Sequence, residues 1–246
     1  MARLHRVLLG ALLITFTGLA ASASPQADSA ALKFTPPPGE ETPEVKALID
    51  RAKGALESGR TATEILTDGT FMPVHAWPRF RALIRDHAPT GTITLAPTSE
   101  PGDALHIRGT IRDTSGQPLK NALIYVYQTS AKGWYSDKAA HISGNSGDTR
   151  HARLFGYLRA DTQGKYEVHT IRPAGYPATD LPAHVHMEIH SASDPPRSHV
   201  TEIRFEDDPR MTPAWRERSQ REGFLMVPVK RDSQGAQQIV ADFQVR

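Results

Sequence analysis

The segment Thr170-Ile-Arg-Pro-Ala-Gly-Tyr176-Pro-Ala-Thr-Asp-Leu-Pro-Ala-His184-Val-His186 decides how this chain is read. It runs on through Met187 and Ile189 with the alternation of a β-strand. Successive strand side chains point to opposite faces. His184 and His186 therefore share one face, and Val185, Met187 and Ile189 share the other. The apolar face can enter a core while the two imidazoles meet a single ion. Tyr176 lies upstream in a loop that holds Pro173, Gly175 and Pro177. A rigid Pro/Gly loop of this kind can bring a phenol back over the strand.

Two imidazoles do not choose a metal, because zinc, copper, iron and nickel all accept them. A tyrosine phenolate is a hard anionic oxygen and favours a hard, trivalent ion. His, His and Tyr together point to ferric iron, Fe(III). A second phenol is available in Gly133-Trp-Tyr135. An isolated His-x-His is more often a solvent-facing strand edge, but the neighbouring tyrosines argue against that here.

Six motifs occur in order: Gly109-Thr-Ile-Arg-Asp-Thr-Ser-Gly-Gln-Pro, Ile124-Tyr-Val-Tyr-Gln128, Gly133-Trp-Tyr135, Arg159-Ala-Asp-Thr-Gln-Gly-Lys-Tyr166, Thr170-Ile-Arg-Pro-Ala-Gly-Tyr-Pro177 and Pro182-Ala-His-Val-His186. Together they resemble the intradiol ring-cleavage dioxygenases, the group of protocatechuate 3,4-dioxygenase and catechol 1,2-dioxygenase. The resemblance spans residues 90–209. It implies a non-haem Fe(III) held by Tyr135, Tyr176, His184 and His186, with Tyr176 and Tyr135 as catalytic phenols. It implies O2-dependent cleavage of a catechol between its hydroxylated carbons, giving a muconate-type diacid without nicotinamide or flavin. The metal's part would be that of Lewis acid and template.

The pattern is broken at two positions. Family members carry an arginine three residues before the first ligand histidine, and this chain has Leu181 there. That arginine stabilises charge developing on the bound ring, and loss of such a preorganised charge typically costs about a hundredfold in rate. Glu202 stands where the family has glutamine. Trp134, Leu181 and Glu202 are the expected pocket residues. Two other readings follow from the same features: an iron-binding relative with weak or altered chemistry, and a non-catalytic transthyretin-like binding module suggested by Gly109 to Gly164.

Residues 1–23 read as a signal peptide: Arg3, His5 and Arg6, then an apolar run, then Ala21-Ser-Ala23. The expected location is exported, periplasmic or secreted. The chain has no cysteine, so export brings no disulfide and the core must hold the fold. Removing this segment takes two arginines and leaves 27 basic against 27 acidic residues. That balance gives no basic surface for nucleic acid, and no membrane span is expected once the signal is gone. A small aromatic diol and O2 are the expected partners, with an oligomer possible.

Residues 24–41 form a Pro/Ala/Ser-rich arm. Residues 42–90 are expected to be helical. Thr42-Pro43-Glu44 is a helix start, and Gly59 a stop. A second helix is expected over Arg79–His87. His75 and His87 read as surface or packing residues, and Trp77 and Trp215 as core or interface.

From residue 91 to 246 the period is two, with turn signals between short strands. The expectation is an all-β fold, a β-sandwich of mainly antiparallel strands with a helical N-terminal decoration. Phe224–Val229 and Gln238–Val245 read as a closing hairpin. The polar stretch after Tyr135 reads as a loop walling the pocket mouth, with His141 and His151 as exposed loop histidines.

Overall fold

The computed structural model describes residues 40–135, 152–192 and 196–245. The expected signal segment, most of the arm, and the loop holding His141 and His151 lie outside the described residues.

Helix α1 (Pro43–Glu57) begins as the sequence dictates, with the Thr42 hydroxyl accepting the Val45 N–H and proline in the first turn. Ile49, Ala52 and Leu56 form its buried stripe. Helix α2 (Ala62–Leu66) is closed by a capping box between Thr61 and Glu64. A 3-10 segment (Gly69–Val74) and helix α3 (Pro78–Asp86) follow.

The strands form two mixed sheets. Strands β1 (Thr92–Thr94), β2 (Ala104–Asp113), β5 (Lys165–Ile171), β9 (Lys230–Arg231), β10 (Gln237–Val240) and β11 (Phe243–Val245) make one, in the order β1-β5-β2-β10-β9 with β11 also on β2. Strands β3 (Leu123–Gln128), β4 (Leu154–Arg159), β6 (His184–His190), β7 (Ser198–Phe205) and β8 (Leu225–Val227) make the other, in the order β4-β3-β6-β7-β8. The centres are antiparallel, as expected: β2 with β5, β3 with β4 and β6, and β6 with β7. The outer pairings depart from that expectation. β1 on β5, β10 and β11 on β2, and β8 on β7 are all parallel. The closing hairpin is also different. β10 does turn back on β9, but β8 pairs in the other sheet. Helix α4 (Pro213–Glu222), absent from the sequence reading, carries the chain from β7 to β8.

The apolar faces of both sheets and of the helices share one buried cluster. Ile93 and Leu95 lie where a Cβ on Gly156 of β4 would stand, so a bare glycine lets the β1 side chains approach. Tyr166 of β5 donates to the Ala241 carbonyl at 2.7 Å. A Cβ on its register partner Gly109 would come within 1.9 Å of that same oxygen.

His75 is a packing residue. It is buried, stacked on Phe80, and hydrogen-bonded through Nδ1 to the Arg153 carbonyl at 2.8 Å. Arg81 donates to the His75 carbonyl at 3.0 Å, and its guanidinium lies over Phe155. Burial pulls the His75 pKa down to about 4, and the bond to Arg153 offsets this only in part.

The unfolded chain takes up this proton near pH 6.5 and the folded chain resists it. Stability should therefore be level above pH 6.5 and fall as the pH drops from there toward 4. The expected contribution is about 3 kcal/mol. Urea unfolding at stepped pH values should show this slope in the wild type and a shallower one in His75→Gln. Equal slopes would exclude His75 as the source.

Candidate metal centre

Strand β6 does what its alternation predicts. Val185, Met187 and Ile189 are buried in the core, while His184 and His186 turn to the other face. Its neighbour β7 is in antiparallel register, with His184 opposite Arg204 and His186 opposite Glu202. The loop from Ile171 brings Tyr176 over the strand, and Tyr135 arrives from the end of the segment after β3.

The four expected side chains meet. Tyr176 Oη lies 2.9 Å from His184 Nε2 and 3.4 Å from His186 Nε2. Tyr135 Oη lies 2.9 Å from His186 Nε2 and 2.6 Å from Tyr176 Oη. The two Nε2 atoms are 3.0 Å apart. Two phenol oxygens and two imidazole nitrogens thus converge on one point.

The proton positions follow from the partners. His184 Nδ1 lies 2.8 Å from the Pro182 carbonyl, which can only accept, so Nδ1 carries the proton. In the neutral ring the Nε2 lone pair then points into the cluster. The nearest Glu202 oxygen is 3.7 Å from His186 Nδ1, which favours the same tautomer. Burial pushes both phenols well above their usual pKa, and the adjacent Tyr176 raises Tyr135 further. Two inward lone pairs beside two phenols that burial holds neutral form a donor set a cation would satisfy. These residues fit ferric iron, because the hard oxygens suit a trivalent ion and the imidazoles are indifferent.

Glu202 stands between the imidazoles and Arg204. Burial pulls its pKa upward, but His184, His186 and Arg204 outweigh this, so the carboxyl sits below its usual value. Arg204 is 2% exposed and bonds Glu202 Oε2 through Nε at 3.0 Å and Nη2 at 2.7 Å. Its Nη1 donates to Ser219 Oγ of α4 at 2.8 Å, and its face packs against Phe224. Arg172 instead pairs with Asp207 and Gln237 at the edge of the sheet.

Leu181 is partly buried against the core. Arg210, which the sequence reading passed over, donates to the carbonyls of Tyr176 at 3.0 Å and Leu181 at 3.3 Å, pinning the loop from behind. Asp208 accepts the Ala183 N–H at 3.2 Å. No local spacing pattern links these residues to the histidines. Trp134 lines a cleft of about 500 Å³ with Glu100, Lys132 and Arg153, and none of the four converging residues lines it. Trp215 is partly exposed and donates to Asp180 at 3.3 Å, and Trp77 packs against the core. His87 is exposed.

Removing the Arg204 cation leaves Glu202 buried without its counter-charge. Arg204→Met should therefore lower stability by about 3 kcal/mol or more, read from denaturant midpoints. The paired change Arg204→Met with Glu202→Gln should recover part of the loss. No difference between single and double variants would show that the pair is not coupled.

A family profile described as Dioxygenase (Dioxygenase_C) matches residues 78–246. The catechol 1,2-dioxygenase of Acinetobacter baylyi is 32% identical over 124 residues, 44% of this chain and 38% of the relative. The chlorocatechol 1,2-dioxygenase of Rhodococcus opacus is 32% identical over 127 residues, 45% of this chain and 46% of the relative. The chain thus spans less than half the length of either relative. The solved catechol 1,2-dioxygenase of an Acinetobacter species, with mercury bound, matches at a TM-score of 0.50 and 27% identity, covering 64% of this chain and 58% of that one. On the strength of the match over residues 78–246, the chain belongs to the intradiol ring-cleavage dioxygenase family.

Proposed function

We propose that this chain is a non-haem Fe(III) intradiol dioxygenase that opens a catechol-type ring between its hydroxylated carbons with O2. The observation that carries the reading is the convergence of Tyr135, Tyr176, His184 and His186, with the His184 tautomer set by Pro182. The resemblance to catechol and chlorocatechol dioxygenases supports the substrate class. Bound ferric iron would supply a Lewis acid that the catecholate chelates and that activates it. The two-sheet frame is read as a sandwich. The N-terminal segment is read as a signal for export, and no helix among the described residues is long and apolar enough to cross a membrane.

The residues divide the work by their surroundings. Tyr135 is 2% exposed and Tyr176 is 8% exposed. Both lie outside the strands, Tyr135 after β3 and Tyr176 after β5. By the family resemblance Tyr176 is the phenol that an arriving catechol would displace, and only as a phenolate, its state as a metal ligand, could it take one of the catechol's two protons. The two histidines are held on β6, and Tyr135 is packed in the core. The Glu202 carboxylate lies 3.7 Å from His186 Nδ1, an electrostatic contact rather than a hydrogen bond.

Leu181 shapes the choice of substrate. It offers packing and no charge, and the buried guanidinium near the site, Arg204, is already tied to Glu202. Arg210 faces the loop carbonyls. Electron-rich catechols, whose own substituents help activate the ring, should therefore turn over faster than catechol itself. The same leucine favours the second reading, an iron protein of weak activity.

The purified chain should be red-brown when loaded with Fe(III), its visible band should shift on adding catechol, and O2 uptake should need no nicotinamide. Tyr135→Phe and His186→Ala should each lose the band or the iron. Full colour and full iron in both variants would overturn the site. A coloured protein with no O2 uptake across a catechol panel would support the weak-activity reading instead.

Leu181→Arg should raise turnover on unsubstituted catechol by about tenfold or more, measured as kcat from O2 uptake. A wild-type rate on catechol equal to that on electron-rich analogues, with no gain in the variant, would mean that the missing charge is supplied elsewhere.

A further inference from the structure

The other sheet carries a second set of metal-binding side chains, which the dioxygenase reading leaves unused. His106 on β2 stands directly opposite His169 on β5, and Glu167 lies two residues before His169. Strand alternation puts all three on one face. The intervening Leu105, Ile107 and Val168 are in the core. The two imidazole rings stack 4.4 Å apart at 19°. Glu167 Oε1 is 2.8 Å from His169 Nε2. One donor atom from each residue lies within 4.8 Å of the other two.

A neighbouring strand supports the arrangement. Gln238 of β10 is the register partner of His106 and puts its Nε2 2.9 Å from His106 Nδ1. The same amide nitrogen lies 2.9 Å from Asp232 Oδ2 in the turn between β9 and β10. The Gln238 amide, itself donating to Asp232, thus donates to His106 Nδ1 and holds the ring in place from a third strand. All three residues are half-buried, so an ion can reach them from solvent.

We propose that His106, Glu167 and His169 form a site for a borderline divalent cation of the zinc class, joining β2 to β5. The donor set decides the class. Two imidazoles and a carboxylate suit Zn(II) and leave a fourth position for water. Calcium and magnesium need more oxygen donors than this site offers. The site offers one carboxylate oxygen and no phenol, against two phenol oxygens at the tyrosine centre. The two sites therefore sort metals by ligand type. A cation here cross-links adjacent strands of the sheet, and its role is to stabilise the folded chain.

The site lies in a different sheet from the tyrosine centre, so its test does not depend on that assignment. The full chain is first saturated with Fe(III) and then titrated with Zn(II) by calorimetry, with bound metals counted by elemental analysis. One zinc per chain is expected, together with a rise in Tm. His106→Ala, His169→Ala and Glu167→Gln should each weaken zinc binding by about tenfold or more, remove the Tm rise, and leave iron content unchanged. If the chain takes no iron, the same zinc equivalent should still be lost in the His106→Ala, His169→Ala double variant. Equal zinc stoichiometry and affinity in the wild type and that double variant would overturn the proposal. So would zinc uptake that Fe(III) saturation abolishes.

Discussion

The register of β6 between β3 and β7 is the constraint on which the site depends. A slip of one residue would turn every side chain of a strand to the opposite face. His184 and His186 would then enter the core, and Val185 and Met187 would replace them beside the tyrosines. The register is held by the burial of Val185, Met187 and Ile189 on one face. On the other face, the pairs His184 with Arg204 and His186 with Glu202 fit only as they stand. The same apolar contacts that stabilise the sheet therefore set the positions of the donors.

Charge is handled in layers outward from this centre. The phenols and imidazoles form the innermost layer, with their lone pairs turned inward. Glu202 lies behind His186, and Arg204 lies behind Glu202, capped by Ser219 and aromatic rings. Each buried ionic group has a partner, which avoids the penalty of an isolated buried charge. Arg204 is thereby committed to Glu202 and would not be free to act on a ring bound at the site. On the proposed function, Leu181 would leave the bound ring without a charged partner there, and the loop it sits on is fixed by Arg210 and Asp208 through backbone contacts.

On the two proposed assignments, the sheets separate two kinds of donor set. The tyrosine centre combines hard oxygens with imidazoles where Tyr135 and Tyr176 are buried. The His106, Glu167 and His169 set lies on a half-buried face of the other sheet and lacks phenols. Donor type and burial change together, so the two places would favour different ions even in a common pool of metals.

Much of this was legible in the sequence because it is local. The period of two from His184 to Ile189 placed both imidazoles on one face. The Pro/Gly loop returned Tyr176 to that strand, and Thr42-Pro43 started α1. The Thr212-Pro213 start of α4 has the same form, with Gly223 left-handed at its end, but its strongly polar residues give no apolar stripe to reveal a helix. Thr61 and Glu64 likewise announce α2 through a capping box that was there to be read. Other features had no local signature. The parallel outer strands, the grip of Arg210 on the Tyr176 loop, the Glu202–Arg204 pair behind His186 and the stack of His106 on His169 all join residues brought together by strand pairing or loop packing. His184, His186 and Tyr176 could thus be singled out from alternation, loop type and donor chemistry, while the full set with Tyr135 rested on the family resemblance. Their partners, protonation and supporting charges were decided only by which strands the tertiary structure set side by side, because hydrogen bonds and ion pairs depend on distance in space and not on separation along the chain.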